Sequence, residues 1–417
     1  MKKLLAALVF ALMVSGILAQ EQEEKKFGIK FSGFVKNDFF WDSRQTVASR
    51  EGHFLLWPSP VLEDPEGNDI NGKANFNFLA IQSRLSGRIT GPDALGAKTS
   101  GLIEGDFFAQ ANDNISLFRL RHAFVKMNWE HLEIMAGQFW NPLFVTSAFP
   151  GTVSFNTGTP LQSFARNPQL RATYSVGGLS VIGAVLSQRD YASVGEAGTT
   201  AHLRNSATPD YHLQVHYGTQ REEGMNLLAG AGWAYKTIAP RISSTIGGDT
   251  YAVKEKVGGM TLMAFAKLST RPITVKLQGR YMENLSDVLA ISGFGVTEIR
   301  DALTGERSYT PLKGMTAWGE VHTNGNPQVG IFGGYTTNLG SKEELLDPAL
   351  VFGRAITIQS LFRISPRIVY NMGKVRLAAE CEYTSAEYGS DFDVNYLPDE
   401  TTTANNLRVL LAVYYFF

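Results

Sequence analysis

Ten basic side chains fall on the polar side of alternating stretches: Arg84, Arg88, Arg119, Arg121, Arg171, Lys276, Arg280, Arg363, Arg376 and Arg408. Arranged as rings or ladders around a passage, such cations lower the barrier for anions. The same groups can instead be consumed in ion pairs with carboxylates on matching faces, here Glu104, Asp106, Glu133, Glu380 and Glu382. A further cation, Arg166, lies in a proline-broken aromatic stretch, Phe139 to Pro168, that contains no Asp or Glu. Arg84, Arg119, Arg121 and Arg166 are therefore the candidates for a charged narrowing.

Catalytic arrangements are harder to build. His212 and His216 share one face of a strand but stand about 13 Å apart, too far to hold one metal ion. Glu320 and His322 also share a face, with no Ser or Cys nucleophile placed beside them. The run Ala229-Gly230-Ala231-Gly232 sits inside an alternating strand and lacks the rest of a nucleotide-binding fingerprint. No catalytic residue, metal or cofactor is expected, and a barrel hydrolase or an adhesin remain the alternatives to a diffusion channel. The formal net charge of −1 gives no support to nucleic-acid binding. Cys381 is the single cysteine, so no internal disulfide can form. It falls on a face with Val375, Leu377, Ala379 and Tyr383, where it reads as a small apolar filler.

The elements that carry these residues are read from a period of two. In Asn405–Phe417 the odd positions from Leu407 run Leu407, Val409, Leu411, Val413, Tyr415 and Phe417. Alternate side chains of a strand point to opposite faces, so one face is wholly apolar and ends in aromatics. This ending resembles the last strand of bacterial outer-membrane β-barrels, in which the terminal Phe, here Phe417 with Tyr415 before it, is the signal read by the barrel assembly machinery. At the other end, Met1-Lys2-Lys3, an apolar run to Leu18 and Ala19 read as a secretory signal peptide covering 1–19, leaving 20–417 as one barrel domain. The mean hydropathy of −0.08 is too low for a helical membrane protein and ordinary for a barrel whose strands are half apolar.

The alternation predicts an all-β fold, a transmembrane antiparallel barrel of sixteen strands. They fall near 27–40, 74–90, 97–110, 115–129, 131–138, 169–177, 179–190, 209–219, 225–238, 251–269, 271–283, 313–323, 327–338, 354–370, 374–387 and 405–417. An even number of antiparallel strands, closed so that no backbone edge meets lipid, fits such a chain. The segment 42–73 reads as a long loop rich in Pro and acidic residues. The stretch Phe139–Pro168 is different: Phe139, Trp140, Phe144, Phe149, Phe155 and Phe164 are too many aromatics for a solvated loop, so it must fold onto something.

The order of elements, with this loop after the fifth strand, is similar to that of sixteen-stranded porins, whose third loop folds inward and narrows the channel. Met135-Ala-Gly-Gln-Phe-Trp-Asn-Pro142, Phe118-Arg-Leu-Arg-His-Ala-Phe124, Ser365-Pro-Arg367 and Ala379-Glu-Cys-Glu-Tyr-Thr384 resemble stretches of DcaP-like and phosphate-selective porins. The resemblance implies a homotrimer in outer-membrane lipid with one water-filled pore per chain, admitting small hydrophilic solutes. It also implies that the cation preference of general porins does not carry over, because their acidic cluster is missing from the third loop.

Overall fold

The computed structural model describes residues 27–197, 200–219 and 224–417. The signal-peptide expectation for 1–19 lies outside them. The barrel strands are β1 (Gly28–Asp42), β2 (Asn75–Leu79, resuming as Arg84–Thr90), β3 (Lys98–Asp106), β4 (Arg119–Asn128) and β5 (Leu132–Trp140). They continue with β6 (Arg166–Val176), β7 (Leu179–Leu186), β8 (Asp210–Gly218), β9 (Asn226–Ile238), β10 (Val257–Ser269) and β11 (Ile273–Glu283). The last five are β12 (Glu306–Thr323), β13 (Gln328–Ser341), β14 (Ile358–Met372), β15 (Val375–Phe392) and β16 (Pro398–Phe416). Each pairs antiparallel with its sequence neighbours, and β1 closes the cylinder on β16 in a register running from Phe34↔Phe416 to Asp42↔Arg408. Among the described residues, the sixteen expected strands are all present.

Closure leaves no unpaired edge, the condition a sheet must meet to stand in lipid. Among the described residues no helix is long and apolar enough to cross a membrane; the chain crosses with strands. On β16 the outward row Leu407, Val409, Leu411, Val413 and Tyr415 is 37–53% exposed, while Asn406, Arg408, Leu410 and Ala412 are buried inside. β14 repeats the pattern, with Phe362, Ile364, Ile368 and Tyr370 outward. The apolar belt is the lipid face.

Several boundaries differ from the sequence reading. β12 begins at Glu306 rather than 313, β15 runs on to Phe392 and β16 starts at Pro398. Beyond the belt no lipid demands apolar side chains, so the period vanishes while the backbone ladder continues, as in Gly389↔Thr401 and Phe392↔Pro398. β10 starts later than expected because Asp249–Ala252 pairs with Ser243–Ile246 in a separate hairpin. In β4 a register shift opposite Glu104/Gly105 leaves Arg119, Arg121 and His122 all buried inside. The parity of the strand reverses there, so Phe124 packs edge-on against Phe139 instead of joining the outward row.

The lumen is filled from the loop end. Loop L1 (43–74), expected only as an acidic excursion, sends the hairpin Thr46–Ser49/Phe54–Pro58 inward. Phe54, Leu56 and Trp57 pack there with Phe108 of L2 (107–118), Phe144, Phe155, Leu161 and Phe164 of L3 (141–165), and Leu289 and Ile291 of L6 (284–305). Trp318, Phe332 and Leu361 of the wall complete this apolar plug.

Candidate pore constriction

L3 leaves the wall after β5 and returns at β6, its ends joined by the Asn141 N–H donating to the Ala165 carbonyl at 2.9 Å. Phe139 and Trp140 belong to the end of β5, and Arg166 and Pro168 to the start of β6. Pro168 is thus a strand residue, paired with Gln138, contrary to its placement in the loop. Trp140 stacks on Phe144 at 4.0 Å, and Phe144 in turn on Phe149 at 5.1 Å. Phe155 stacks on Phe108 at 4.0 Å and meets Phe54 and Phe164 edge-on or tilted. These aromatics fold the loop into the barrel.

The loop's own backbone polar groups then need partners, because a buried amide left unpaired costs roughly 1–3 kcal/mol. Charged wall side chains supply them. Lys267 and Lys276 donate to the carbonyls of Ser147 and Phe149 at 3.0 and 2.9 Å, and Lys36 to that of Val153 at 3.0 Å. Arg363 donates to the Thr159 carbonyl at 2.5 Å, and Arg280 to Ser163 Oγ. Glu320 accepts from the Gly151 N–H at 2.8 Å and Glu380 from the Val153 N–H at 2.5 Å. Two glycines permit the close approach. A Cβ on Gly151 would fall 2.7 Å from Arg367 Nη2, and Gly158, at φ +82°, lies against the Phe332 ring.

The candidate selectivity residues are placed as follows. Arg119 binds Asp106 at 2.8 Å, and Arg121 bridges Asp106 and Glu104 at 2.7 and 2.9 Å. Arg84 stands 3.6 Å from Glu104, half-buried. Arg166 is paired with Asp190 of L4 (187–209) at 2.6 Å and lies over the Trp140 ring at 5.3 Å. Arg363 is fully buried, 3.3 Å from Glu382, and also donates to the Leu56 carbonyl of L1 at 2.6 Å. Arg171 donates to the Trp140 carbonyl at 2.8 Å and to Gln169. Arg376 donates to Asn371 at 2.8 Å and lies over Tyr414 and Phe416, while Arg88 is exposed towards the tight-turn end. Glu133, named as a partner carboxylate, takes Lys126 at 2.9 Å.

Between L3 and the wall, on the tight-turn side, lies a cavity of about 990 Å³. Of the charged side chains at its surface, Arg84, Arg121 and Arg376 are basic and Glu104 is acidic, an excess of two positive charges (3 − 1 = 2). His122, Trp140, Phe144 and Phe149 border the same space.

Asp42 and His53 were not singled out by the sequence reading, and they join Arg408, which was. Arg408 is bound to Asp42 at 2.5 Å and donates to the Gly52 carbonyl of L1 at 2.7 Å. His53 of L1 donates from Nε2 to Asp38 at 2.9 Å, and burial lowers its pKa below the ordinary histidine value. The run His53-Phe-Leu-Leu-Trp-Pro58 carried the same signal as L3, aromatics in a nominal loop, diluted by the acidic residues around it.

No protein-family profile matches the chain, and no curated protein matches it. Solved structures do. The outer membrane channel DcaP of Acinetobacter baumannii superposes with a TM-score of 0.67 at 14% identity, covering 96% of this chain and all of that one. OmpT, an outer membrane protein of Vibrio cholerae, gives 0.54 at 10% identity over 95% of this chain and all of its own. The anion-selective porin from Comamonas acidovorans gives 0.52 at 11% identity over 94% and 100%. The sixteen-stranded closure, the apolar belt and the inward third loop together make this the fold of an outer-membrane porin, resembling DcaP.

Proposed function

We propose that the protein is an outer-membrane channel for passive diffusion of small hydrophilic solutes, that it prefers anions, and that it works as a homotrimer. The observation that carries the reading is the cavity beside L3, where three arginines face one glutamate. In a narrow, poorly solvated passage the effective dielectric falls below that of water, so an excess guanidinium acts strongly on a passing ion. Charges more than about 8 Å away are screened at physiological salt, which leaves the choice to the residues at the narrowing. Pairing of Arg119 with Asp106, and of Arg121 with Asp106 and Glu104, leaves the excess of two unchanged, and Arg84 and Arg376 carry it. Support for the sign comes from the similar fold of the anion-selective Comamonas porin, and for trimers from a structurally similar OmpT whose structure is described as a trimer form.

Reversal potentials across planar bilayers under a potassium chloride gradient test the reading. A chloride-directed potential is expected. A potassium-directed one overturns the anion preference, and the absence of conductance favours a barrel hydrolase or an adhesin. Crosslinking of gently extracted material is expected to return a trimer.

A further inference from the structure

The cavity beside L3 is bordered by Phe155 and Phe164. Phe54 of L1, fully buried, packs against both rings at 5.1 and 5.0 Å. It belongs to the hairpin Thr46–Ser49/Phe54–Pro58, in which Leu55, Leu56 and Trp57 are buried as well. The wall shows where this hairpin stands. β15 runs from the tight-turn end to the loop end; its Glu380 and Glu382 meet L3, whereas the Tyr388 hydroxyl, further on, donates to the Pro58 carbonyl at 2.6 Å. The base of the hairpin therefore lies on the loop side of L3. With it, an apolar layer reaches from Ile81, at the break in β2, to Trp318 and Phe332 of β12 and β13. Apolar side chains offer a hydrated ion nothing in exchange for its water, so such a layer blocks conduction.

The hairpin is docked onto the barrel rather than built into it. It forms a separate two-stranded sheet. Arg363 and Arg408 of the wall donate to its Leu56 and Gly52 carbonyls at 2.6 and 2.7 Å, and Asn112 of L2 accepts from the Arg50 and Glu51 N–H groups at 2.8 and 3.2 Å. Arg50 and Glu51 hold left-handed φ angles of +58° and +53°, a conformation that costs residues with a side chain energy. The seated shape is thus upheld by its contacts. At the base the two strands come together, with Thr46 opposite Pro58 and the Ser59 N–H donating to the Gln45 carbonyl at 3.0 Å. We propose that residues 46–58 of L1 are a lid over the loop-side entrance to the cavity, and that the channel conducts when this hairpin is unseated. This rests on the channel reading above. The hairpin turns about its narrow base, and the barrel, held by its own ladder, stays closed.

The test compares the unaltered protein in planar bilayers with two variants. In one, residues 47–57 are replaced by two glycines, which join the neighbours Thr46 and Pro58. In the other, Phe54→Glu puts a charge into the apolar layer and expels the hairpin without shortening the chain. Both are expected to raise the time-averaged current several-fold, while Phe54→Leu, which keeps the layer apolar, should behave as the parent does. Equal, measurable currents in the parent and both variants overturn the lid and leave the channel reading intact. Silence of all of them overturns the channel reading, and the lid with it. Hydrogen exchange on the unaltered protein needs no variant to fold. The hairpin amides should exchange together, at least about tenfold faster than those of Phe39 to Trp41 in β1, because a lid opens without the barrel. Protection equal to that of β1 overturns the assignment.

Discussion

On β2–β4 the charged side chains of the lumen turn to one another, whereas on β11–β15 they turn to the backbone of a loop. Arg84, Arg119 and Arg121 share two carboxylates, Glu104 and Asp106, and part of this cluster borders open space. Lys276, Arg280, Arg363, Glu320 and Glu380 come from the same alphabet, yet they serve the carbonyls and amides of L3. The difference lies in what stands opposite each wall. L3 hugs the second sector and hides its charge from a solute, except for Arg376 at its tight-turn end, while the first is left facing the passage. A cation in a barrel lumen is thus a selectivity element only where no loop has claimed it.

The comparison breaks if removing a clamp changes ion preference or if removing a facing arginine unfolds the barrel. The largest effect is expected for Arg363→Ala. It strands buried Glu382 and takes a donor from the carbonyls of Thr159 and Leu56, a loss of about 3–5 kcal/mol for one partner of a buried pair. Urea unfolding in detergent measures it, and molecules that still fold should keep the parent's reversal potential. Next comes the outer wall of the strand that holds Arg408. Val413→Arg puts a charge into the lipid belt and should cost about 2–4 kcal/mol if it sits near mid-bilayer, by the same measurement. The smallest stability effect is expected for Arg84→Ala with Arg376→Ala, within about 1 kcal/mol as for partly solvated charges. This pair alone should move the reversal potential towards potassium, by removing the cavity's positive excess. An unchanged potential would place the preference elsewhere.

Much of the fold was legible. Each outward residue answers to one homogeneous solvent, so Leu407, Val409, Leu411, Val413 and Tyr415 could be assigned one at a time. The third loop was legible for a related reason: six aromatics among prolines, without acids, have no stable place in water. L1 was missed because Phe54 to Trp57 is a short run inside a loop that also carries Glu51, Glu63, Asp64, Glu66 and Asp69. The parity reversal in β4 was invisible, since a register shift depends on the partner strand as much as on the strand that bears it.

The sequence by itself determined the class, the number of strands, the lipid face and the existence of an inward loop, because period and composition are local properties set by the solvent on each side. Only the tertiary structure decided which lumen charges neutralise one another, which hold loops and which remain to meet a solute. Those choices turn on contacts of about 3 Å between groups far apart in the chain: Arg363 meets Leu56 across 307 positions and Glu380 meets Val153 across 227. Carboxylates and loop backbone groups compete for the same guanidinium and ammonium donors, and closure of the barrel decides which arrives within reach.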